Sequence, residues 1–509
     1  MMKSLLMKTI HNLTPSLHWS DALAAFISGV LLLFAFPPFN FYPIVFIALI
    51  PLLTRLHPDR LRINAEMGLL FGCTFYLGLL YWLHHVTTGG MLTLVIVLSV
   101  YQSCQCMAIG WSKRYPYWIP IAGLIWLMVD YLRSLGPLSF AWGYLGHSFY
   151  SNVILMTPVF WIGVPGLSFI IFGLNAALAD GICRWSIYQK IYSSTEFLPL
   201  ARIRFQKIFL AGFAALLVLV GVYGITMINR DANNAAISKP LRVALIQGGF
   251  EQQEKETATV EETLETYLSL SEQSIKDSPD LIVWPESTIT MPLEYWPEGV
   301  ALIQEFSDRF DIELLIGSVS GLFTTERKWK FWNKAYLFSP GNSFDIEGSS
   351  IDISAIPSYA KTHLVPFGEW IPLGKYWPFN LIETLIEESG AGIFQPGSDL
   401  TIFKLRNGIR FAVTICFEST LPQLWRQAKK QGADFIVNIT NDAWYKRSSG
   451  LEQHLSQCCF RAAENRLYVV RTANTGITGV ISPNGSLISS LPPYKSTYGV
   501  FLIPIQSTQ

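Results

Sequence analysis

The sequence contains little charge, and its positive and negative charges balance. Charged residues make up 15% of the 509 positions, and 37 Lys and Arg residues offset 37 Asp and Glu residues. No basic stripe occurs outside a few short connections between apolar stretches, so nucleic acid is not expected as a partner. Internal repeats and low-complexity tracts are absent from the sequence as well.

Cysteine is also scarce, and its positions favour a thiol enzyme over a disulfide scaffold. Four of the seven cysteines fall in or beside apolar stretches, and the second half of the chain keeps Cys416, Cys458 and Cys459. The adjacent Cys458 and Cys459 lie in a helical pattern, where we expect packing residues; a strained vicinal disulfide is a remote alternative. No Cys/His spacing resembles a zinc site, so no metal or other cofactor is expected.

Apolar residues, in contrast, are abundant and concentrated before residue 230. The chain is 50% hydrophobic, with a mean hydropathy of +0.33, which is high for a soluble protein. Most of the apolar stretches approach the roughly 20 residues that cross a bilayer; they are 21–36, 42–56, 66–86, 91–111, 117–135, 164–182 and 208–228. We therefore expect a helical membrane domain of about seven spans over residues 1–228. The first stretch runs into Pro37 and Pro38 without a small-residue cleavage site, so it is expected to be a retained helix.

Basic residues alternate between the connections of these stretches. One set of connections holds only Arg133; the other contains Lys3, Lys8, Arg55, Arg60, Arg62, Lys113, Arg114, Arg184, Lys190, Arg202, Arg204 and Lys207. By the positive-inside rule the N-terminus is cytoplasmic, and seven crossings place the chain after residue 230 on the opposite side. In a Gram-negative cell that side is the periplasm, so we expect a multi-pass inner-membrane protein with a periplasmic domain.

The pattern changes after the polar residues 229–240, which are expected to form a linker. Strand-like runs occupy 241–247, 280–283, 314–319, 335–338, 411–415 and 434–439. Helical patterns lie between several of them, including 260–278 and 421–431. This alternation predicts an α/β domain over residues 241–509.

Within that domain, Cys416 ends an apolar run and precedes a helical pattern. Ser419 and Thr420 are candidate helix caps, and Pro422 is tolerated in a first helical turn. Amide N–H groups and the helix dipole at such a position lower the pKa of a thiol, which is typical of a nucleophile. A cysteine among Phe, Val and Ile is also often a core residue, so this run alone leaves both interpretations open.

Two charged residues follow apolar runs elsewhere in the domain. Glu286 comes after residues 281–285, where burial would raise its pKa toward that of a useful base. Lys361 lies in a loop rich in Pro and Gly. Each has a plainer interpretation, as a capping carboxylate and a surface charge. His363 and His454 leave a Cys-His dyad open as well.

Taken together, these residues resemble the Glu-Lys-Cys triad of the nitrilase superfamily. The sequence motifs around them are VWPES at Glu286, HLVPFGE after Lys361 and ICFE at Cys416. These motifs resemble those of one branch of the superfamily, the bacterial apolipoprotein N-acyltransferases. Further matches are ALIQG at 244–248, NITNDAW at 438–444, QHL at 453–455 and RTANTGITG at 471–479.

The resemblance implies a polytopic helical membrane domain followed by a nitrilase-like α-β-β-α sandwich. It implies that Glu286 is the base, that Lys361 offsets charge on the tetrahedral intermediate, and that Cys416 is the nucleophile. The reaction it implies is ping-pong transfer through an acyl thioester. A phospholipid, typically phosphatidylethanolamine, gives up its sn-1 chain, and the N-terminal diacylglyceryl-cysteine of an apolipoprotein accepts it.

Several other residues match positions near the active site of that family. Glu369 and Glu418 are expected to assist, with structural hydrogen bonding as the alternative. Residues expected to line the pocket or fix the backbone are Trp284, Asn438, Asn441 and Trp444. Aromatic residues that would form a lip for acyl chains, or equally anchors or core, are Phe367, Trp370, Trp377, Phe379 and Trp444. Asp130 and Arg133 match an acidic/basic pair, which a buried ion pair explains equally well.

Departures from the family pattern leave substrate detail open. Gly249 stands where relatives usually carry Asn, Phe417 where Tyr is usual, and Lys446 where Gly is commoner. The family usually adds a last membrane helix, but the run 498–505 is too short to span, so the C-terminus is expected to remain periplasmic. The alternatives are a membrane-anchored carbon-nitrogen hydrolase that acts on another amide or ester, and a non-catalytic scaffold, which the complete triad argues against.

Overall fold

The computed structural model describes residues 17–136, 139–191, 200–237, 239–325, 328–347, 350–366, 368–370 and 394–505. Its contacts divide the chain into two compact units, one formed by residues before Ile225 and one formed essentially by residues from Ile225 onward. The division follows the change from long apolar stretches to alternating strands and helices.

The described part of the first unit consists of helices joined by turns and short irregular segments. Its helices are α1 (Trp19–Leu33), α2 (Ile50–Arg55), α3 (Leu61–Leu79), α4 (Thr88–Ser112), α5 (Trp118–Arg133), α6 (Val153–Met156), α7 (Val159–Ile191) and α8 (Leu200–Ile237), of which α8 continues into the second unit. Helices α3 and α4 approach closely because glycine faces the contact. A Cβ at Gly68 would lie 2.4 Å from the Gln102 carbonyl oxygen, and one at Gly72 would lie 2.7 Å from the Ser99 Cα.

Each of the seven apolar stretches contains a helix, but not all of these helices have the length of a membrane span. Among the described residues, three are long and apolar enough to cross a membrane, namely Thr88–Ser112, Val159–Arg184 and Ala211–Asn233, and the shorter apolar helices are Trp19–Leu33 and Tyr42–Arg55. Helix α1 has 15 residues, which at 1.5 Å per residue extends roughly 22 Å against a hydrocarbon core of roughly 30 Å. Seven spans are therefore not established, and three helices of membrane length are.

The expected polar linker is largely helical. Helix α8 runs to Ile237, and the first strand begins at Lys239. Neither Gly nor Pro interrupts the chain between Gly224 and Pro240, and Asp231 on the helix pairs with Arg466. Residues 229–237 are thus the end of a helix.

Asp130 and Arg133, the acidic/basic pair in the helical unit, form a buried ion pair at 3.4 Å. The Arg133 guanidinium also donates to the Trp142 carbonyl oxygen at 2.5 Å and lies over the rings of Tyr76 and Tyr144. These contacts join α3, α5 and the segment after α5, as expected of a pair that braces helices.

The second unit contains two six-stranded sheets. The strands are β1 (Lys239–Gln247), β2 (Leu281–Val283), β3 (Glu313–Phe323), β4 (Trp329–Phe338), β5 (Asp345–Glu347), β6 (Ser350–Asp352), β7 (Ser358–Ala360), β8 (Ile402–Lys404), β9 (Arg410–Ile415), β10 (Phe435–Thr440), β11 (Tyr468–Ala473), β12 (Gly479–Ile481), β13 (Leu487–Ser490) and β14 (Thr497–Ile505). The first sheet has the order β14-β1-β2-β3-β4-β7, and the second has the order β13-β12-β11-β10-β9-β8. The predicted strand-like runs all fall within or overlap these strands.

Among the described residues, five helices belong to this unit. They are α9 (Gln252–Thr257), α10 (Val260–Ser274), α11 (Pro297–Phe310), α12 (Pro422–Lys430) and α13 (Gly450–Asn465). Leu264 of α10 and Ile303 of α11 belong to one buried cluster with Ile282 and Leu314 of the first sheet. Burial of such side chains stabilises the layer by about 1.5–3 kcal/mol each. Strands β1, β2 and β3 run parallel, as do β9, β10 and β11, so the α/β prediction is confirmed.

Candidate active site

Glu286, Lys361 and Cys416 each follow the end of a strand. Glu286 comes after β2, Lys361 directly follows β7, and Cys416 directly follows β9. Glu286 and Lys361 are buried, and Cys416 is partly exposed. The structure therefore brings together three side chains that are far apart in the sequence, at the strand ends of two sheets.

The turn at Cys416 has an unusual backbone. Strand β9 ends at Ile415, a short 3-10 turn covers Cys416–Thr420, and α12 begins only at Pro422. Cys416 itself has a φ of 51°, in the left-handed region that non-glycine residues rarely adopt. Such strain is found where surrounding structure fixes a residue for a functional purpose.

Glu286 accepts hydrogen bonds on both carboxylate oxygens. Its Oε1 lies 2.7 Å from the Asn333 Nδ2 and 3.5 Å from the Lys361 Nζ. Its Oε2 accepts from the backbone N–H of Asn441 at 2.7 Å. These contacts fix the carboxylate in one orientation beside the ammonium.

Glu369 is the nearer carboxylate partner of Lys361. The Lys361 Nζ donates to the Glu369 Oε1 at 2.8 Å, and Glu369 also accepts from Asn333 at 3.3 Å and from the backbone N–H of Val365 at 2.8 Å. Burial by itself lowers the pKa of Lys361, but Glu369 and then Glu286 outweigh it, so the pKa of Lys361 lies above its usual value. Lys361 is therefore a permanent cation in this site.

The pKa of the Cys416 thiol is raised, which corrects the expectation that a helix start lowers it. Burial is the largest cause, the Glu286 carboxylate raises the pKa further, and Lys361 opposes both. The predicted effect of the helix is lost because the 3-10 turn separates Cys416 from α12. At neutral pH the thiol carries its proton, so its reaction requires a base.

Glu418 connects two loops and contacts neither the thiol nor the Lys361 ammonium through a hydrogen bond in the described structure. Its Oε1 accepts from the Tyr359 hydroxyl at 2.7 Å, from the Thr362 N–H at 2.8 Å and from the Thr362 hydroxyl at 2.9 Å. Its Oε2 accepts from the Ile415 N–H at 2.8 Å. Glu418 thus ties the loop that carries Lys361 to the turn that carries Cys416.

His454 contacts the turn that carries Cys416. Its Nδ1 is 2.9 Å from the Asp442 Oδ1, and its Nε2 is 3.2 Å from the Cys416 carbonyl oxygen and 3.0 Å from the Ser419 hydroxyl. Burial by itself raises the pKa of Asp442, but Arg471 at 2.7 Å holds it below its usual range. The geometry favours a positioning role for His454 over the Cys-His dyad.

The predicted pocket residues occupy different environments. Trp284 is fully buried and donates to the Ser271 hydroxyl at 2.9 Å, so it belongs to the core. Asn438 is buried between Thr414 and Arg471 and fixes two strands. Asn441 reaches the site through its backbone N–H, and Trp444 is exposed.

Of the predicted aromatic lip, Trp370 is half-buried, and Phe367, Trp377 and Phe379 lie outside the described residues. His363 is close to the Thr362 hydroxyl at 2.9 Å, at the exposed side of its loop.

Sequence reasoning missed Asn333, which bridges Glu286 and Glu369 from the middle of β4. The signal was an amide inside an otherwise aromatic strand pattern, residues 329–338. It also missed Lys255, a half-buried residue of α9. Burial lowers the pKa of Lys255 to about 8, and Glu286 opposes that effect.

Comparisons with known proteins agree with this architecture. The carbon-nitrogen hydrolase family model matches residues 242–509, and the model of the apolipoprotein N-acyltransferase N-terminal domain matches residues 28–177. An apolipoprotein N-acyltransferase of Geobacter metallireducens is 32% identical over 489 residues, 93% of this chain and 88% of that protein. One of Rickettsia typhi is 27% identical over 505 residues, 96% of this chain and 93% of that protein.

Among solved structures, Saccharomyces cerevisiae Nit3, a member of branch 10 of the nitrilase superfamily, is similar at 18% identity. The match covers 52% of this chain and 90% of that chain, with a TM-score of 0.38.

The two sheets of the second unit and its match to the family model define it as a carbon-nitrogen hydrolase domain. With the helical unit and the full-length relatives added, the chain belongs to the apolipoprotein N-acyltransferase family, whose members are acyltransferases.

Proposed function

We propose that this chain N-acylates the N-terminal diacylglyceryl-cysteine of apolipoproteins, with a phospholipid as acyl donor and a thioester on Cys416 as intermediate. The observation that carries the proposal is the buried cluster of Lys361 with Glu286 and Glu369 beside the strained Cys416 turn. Homologues named apolipoprotein N-acyltransferase support the acceptor.

In the first half-reaction Cys416 Sγ attacks the ester carbonyl carbon of the donor. Because the pKa of the thiol is raised, its proton passes to Glu286 as the C–S bond forms. Lys361 stabilises the negative oxygen of the tetrahedral intermediate. The ester C–O bond then breaks, Glu286 returns the proton to the departing lysophospholipid oxygen, and the acyl group remains on sulfur.

In the second half-reaction the α-amine of the acceptor attacks the thioester carbonyl. Glu286 takes a proton from the attacking nitrogen, the C–S bond breaks, and the sulfur regains a proton as the amide forms. Glu369 keeps the Lys361 ammonium in place through both steps, at 2.8 Å. Glu418 assists from further away, by holding the two loops together.

The membrane unit supplies the setting for this chemistry. Both proposed substrates are anchored in a bilayer, and three helices of the chain have membrane length. We propose a multi-pass inner-membrane protein with seven crossings and its second unit in the periplasm, as the alternating basic connections favour. Phosphatidylethanolamine is the proposed donor.

The test is intact-protein mass spectrometry of the full chain after incubation with phosphatidylethanolamine. We expect an acyl adduct that hydroxylamine removes, and no adduct in Cys416→Ala or Glu286→Gln. Cys104→Ala, which removes an exposed thiol of the helical unit, is the matched control and should keep the adduct.

Two results would contradict the proposal. An unmodified wild-type chain in folded, lipid-supplied samples would exclude the thioester route from phospholipid. Turnover of a soluble amide without transfer to a lipoprotein peptide would favour the carbon-nitrogen hydrolase alternative, which the family model of the second unit also admits.

A further inference from the structure

The β3–β4 hairpin presents three aromatic side chains on one of its faces. Phe323 pairs with Trp329 in the register, and Gly321 pairs with Phe331. Residues at alternate positions of a strand point to the same face of a sheet. Phe323, Trp329 and Phe331 therefore form a continuous row, here called the hairpin stripe.

The hairpin stripe is ordered by its own contacts but open to solvent. The Trp329 ring lies 5.3 Å from Phe323, 5.6 Å from Phe331 and 5.0 Å from Tyr295. Gly321 leaves room for it, since a Cβ there would approach the Trp329 ring at 3.2 Å. Yet Trp329 is 45% exposed and Phe323 is 47% exposed. Contiguous exposed aromatics of this kind mark interaction sites.

Basic residues flank the hairpin stripe. Lys328 and Lys330, on either side of Trp329 in the sequence, are exposed. Lys330 pairs with Leu322 and therefore points to the opposite face of the hairpin from the stripe. Neither ammonium has a carboxylate partner among the described residues. Tryptophan beside lysine is the composition that proteins use at a membrane–water interface, where rings enter the head-group region and ammonium groups meet phosphate. The charge thus complements the phosphate oxygens of lipids.

The other end of the hairpin stripe leads to the candidate active site. Phe331 is followed two positions later, on the same face, by Asn333, which donates to Glu286 at 2.7 Å. The Phe331 carbonyl oxygen accepts from the backbone N–H of Gln395 at 2.7 Å. One strand therefore carries exposed aromatic rings at its start and a contact to the proposed base near its middle.

We propose that the hairpin stripe docks onto the phosphate-bearing surface of a lipid bilayer. The hairpin enters end-on at the pair Phe323–Trp329, so that these rings enter the interface while Lys328 and Lys330 beside them contact lipid phosphates. A bilayer is the favoured partner because the same chain carries three helices of membrane length, which keeps a lipid surface always within reach. That the docked lipid is also the acyl donor rests on the proposed function; the docking itself does not.

Photo-crosslinking tests the docking in the full chain, reconstituted in nanodiscs of phosphatidylethanolamine and phosphatidylglycerol. Trp329 or Phe323 is replaced by p-benzoylphenylalanine, with Ile488 and Leu502 as controls because they are exposed apolar residues on other strands of the same unit. We expect lipid adducts at positions 329 and 323 and not at the controls. No lipid adduct above the controls, or crosslinks only to protein, would overturn the proposal.

A kinetic test separates this proposal from the proposed function. We compare acylation of Cys416 by bilayer phospholipid with acylation by p-nitrophenyl butyrate, and we follow the ratio of the two rates. In the double variant Phe323→Ser/Trp329→Ser this ratio should fall about ten-fold, whereas the double variant Ile488→Ser/Leu502→Ser should keep the wild-type ratio.

If the hairpin variant keeps the wild-type ratio, docking of the hairpin does not contribute to the use of the phospholipid donor, and that part of the proposal is overturned. A wild type that takes no acyl group from phospholipid would overturn the proposed function and leave the crosslinking result standing.

Discussion

The Cys416 side chain combines a protonated thiol with a permanent neighbouring cation. Burial and Glu286 raise the pKa of the thiol, and Lys361 limits the rise. A free cysteine near its usual pKa would be partly ionised and open to adventitious alkylation. Here the thiolate forms only when the thiol can transfer its proton to Glu286. The reactivity of Cys416 therefore depends on Glu286 and on a bound electrophile.

Alkylation of Cys416 should therefore require a higher pH than alkylation of a free thiol. Because the pKa of Cys416 is raised, its reaction with iodoacetamide should still be increasing at pH values where glutathione in the same sample has reached its plateau. Lys361→Met should move the profile further up, since it removes the cation that lowers the pKa, and Lys361→Arg should move it less. Peptide mass spectrometry measures the rates. A plateau for Cys416 below that of glutathione would show that the thiol is instead activated at rest.

The loops that follow strands β7 and β9 act as one element because of Glu418. This carboxylate accepts hydrogen bonds from the Lys361 loop on one oxygen and from the Ile415 N–H on the other. Hydrogen bonds to a buried charge contribute about 1.5–3 kcal/mol each. The distance between the nucleophile and the cation is thus set by a residue that touches neither.

Glu418→Gln should loosen this connection. An amide presents donors toward the N–H groups that the carboxylate now accepts from, so we expect the free energy of unfolding to fall by about 1–3 kcal/mol. Misplacement of the loops should slow Cys416 acylation by a short ester about 10–100-fold. Chemical denaturation and acylation rates measure the two effects. Glu464→Gln, which removes a carboxylate paired with Arg461 on α13, is the control. An unchanged rate in Glu418→Gln would exclude the positioning role.

At the scale of the whole molecule, the number of membrane crossings decides which side each loop faces. If only the three helices of membrane length cross the membrane, the second unit lies on the side opposite the N-terminus. Seven crossings give the same result, because both numbers are odd. They differ for the connection between α4 and α5, which carries Lys113 and Arg114. With seven crossings that connection faces the side of the N-terminus, and with three it faces the opposite side.

Labelling with a membrane-impermeant maleimide in intact and permeabilised cells distinguishes the two arrangements. Tyr115, 42% exposed in this connection, is replaced by cysteine, and Lys495→Cys in the second unit serves as the reference. We expect Tyr115→Cys to react only after permeabilisation and Lys495→Cys to react from outside in intact cells. The chain without introduced cysteines gives the background. Labelling of Tyr115→Cys in intact cells would favour three crossings.

Several strands could be predicted because apolar runs leave a clear record in the sequence, and Glu286 and Cys416 follow two of these runs. The short strand β7 before Lys361 was not predicted, and the three residues were singled out together only by their resemblance to a known triad. Asn333 could not be predicted, because its role depends on β4 lying beside β3 and on β7 lying beside β4. The pKa of Cys416 was missed for a local reason, since no pattern shows that a 3-10 turn precedes α12.

In the helical unit, the sequence predicts the positions of the helices better than their lengths. Composition located every apolar stretch, and each one contains a helix. Hydropathy windows do not reveal where a helix begins and ends, however, and the 15 residues of α1 or the 16 residues of α5 are shorter than the apolar stretches around them. Helix bounds depend on turns such as Tyr42–Phe46, which compete with the helix for the same apolar residues.

The left-handed backbone of Cys416 sets stability against activity at a single position. With a φ of 51°, this position suits glycine, and any residue with a Cβ costs roughly 1 kcal/mol there. Glycine at this position would remove that strain, but it would also remove the thiol. Selection for stability alone would therefore favour glycine at residue 416, and a requirement for the product of the reaction keeps cysteine there.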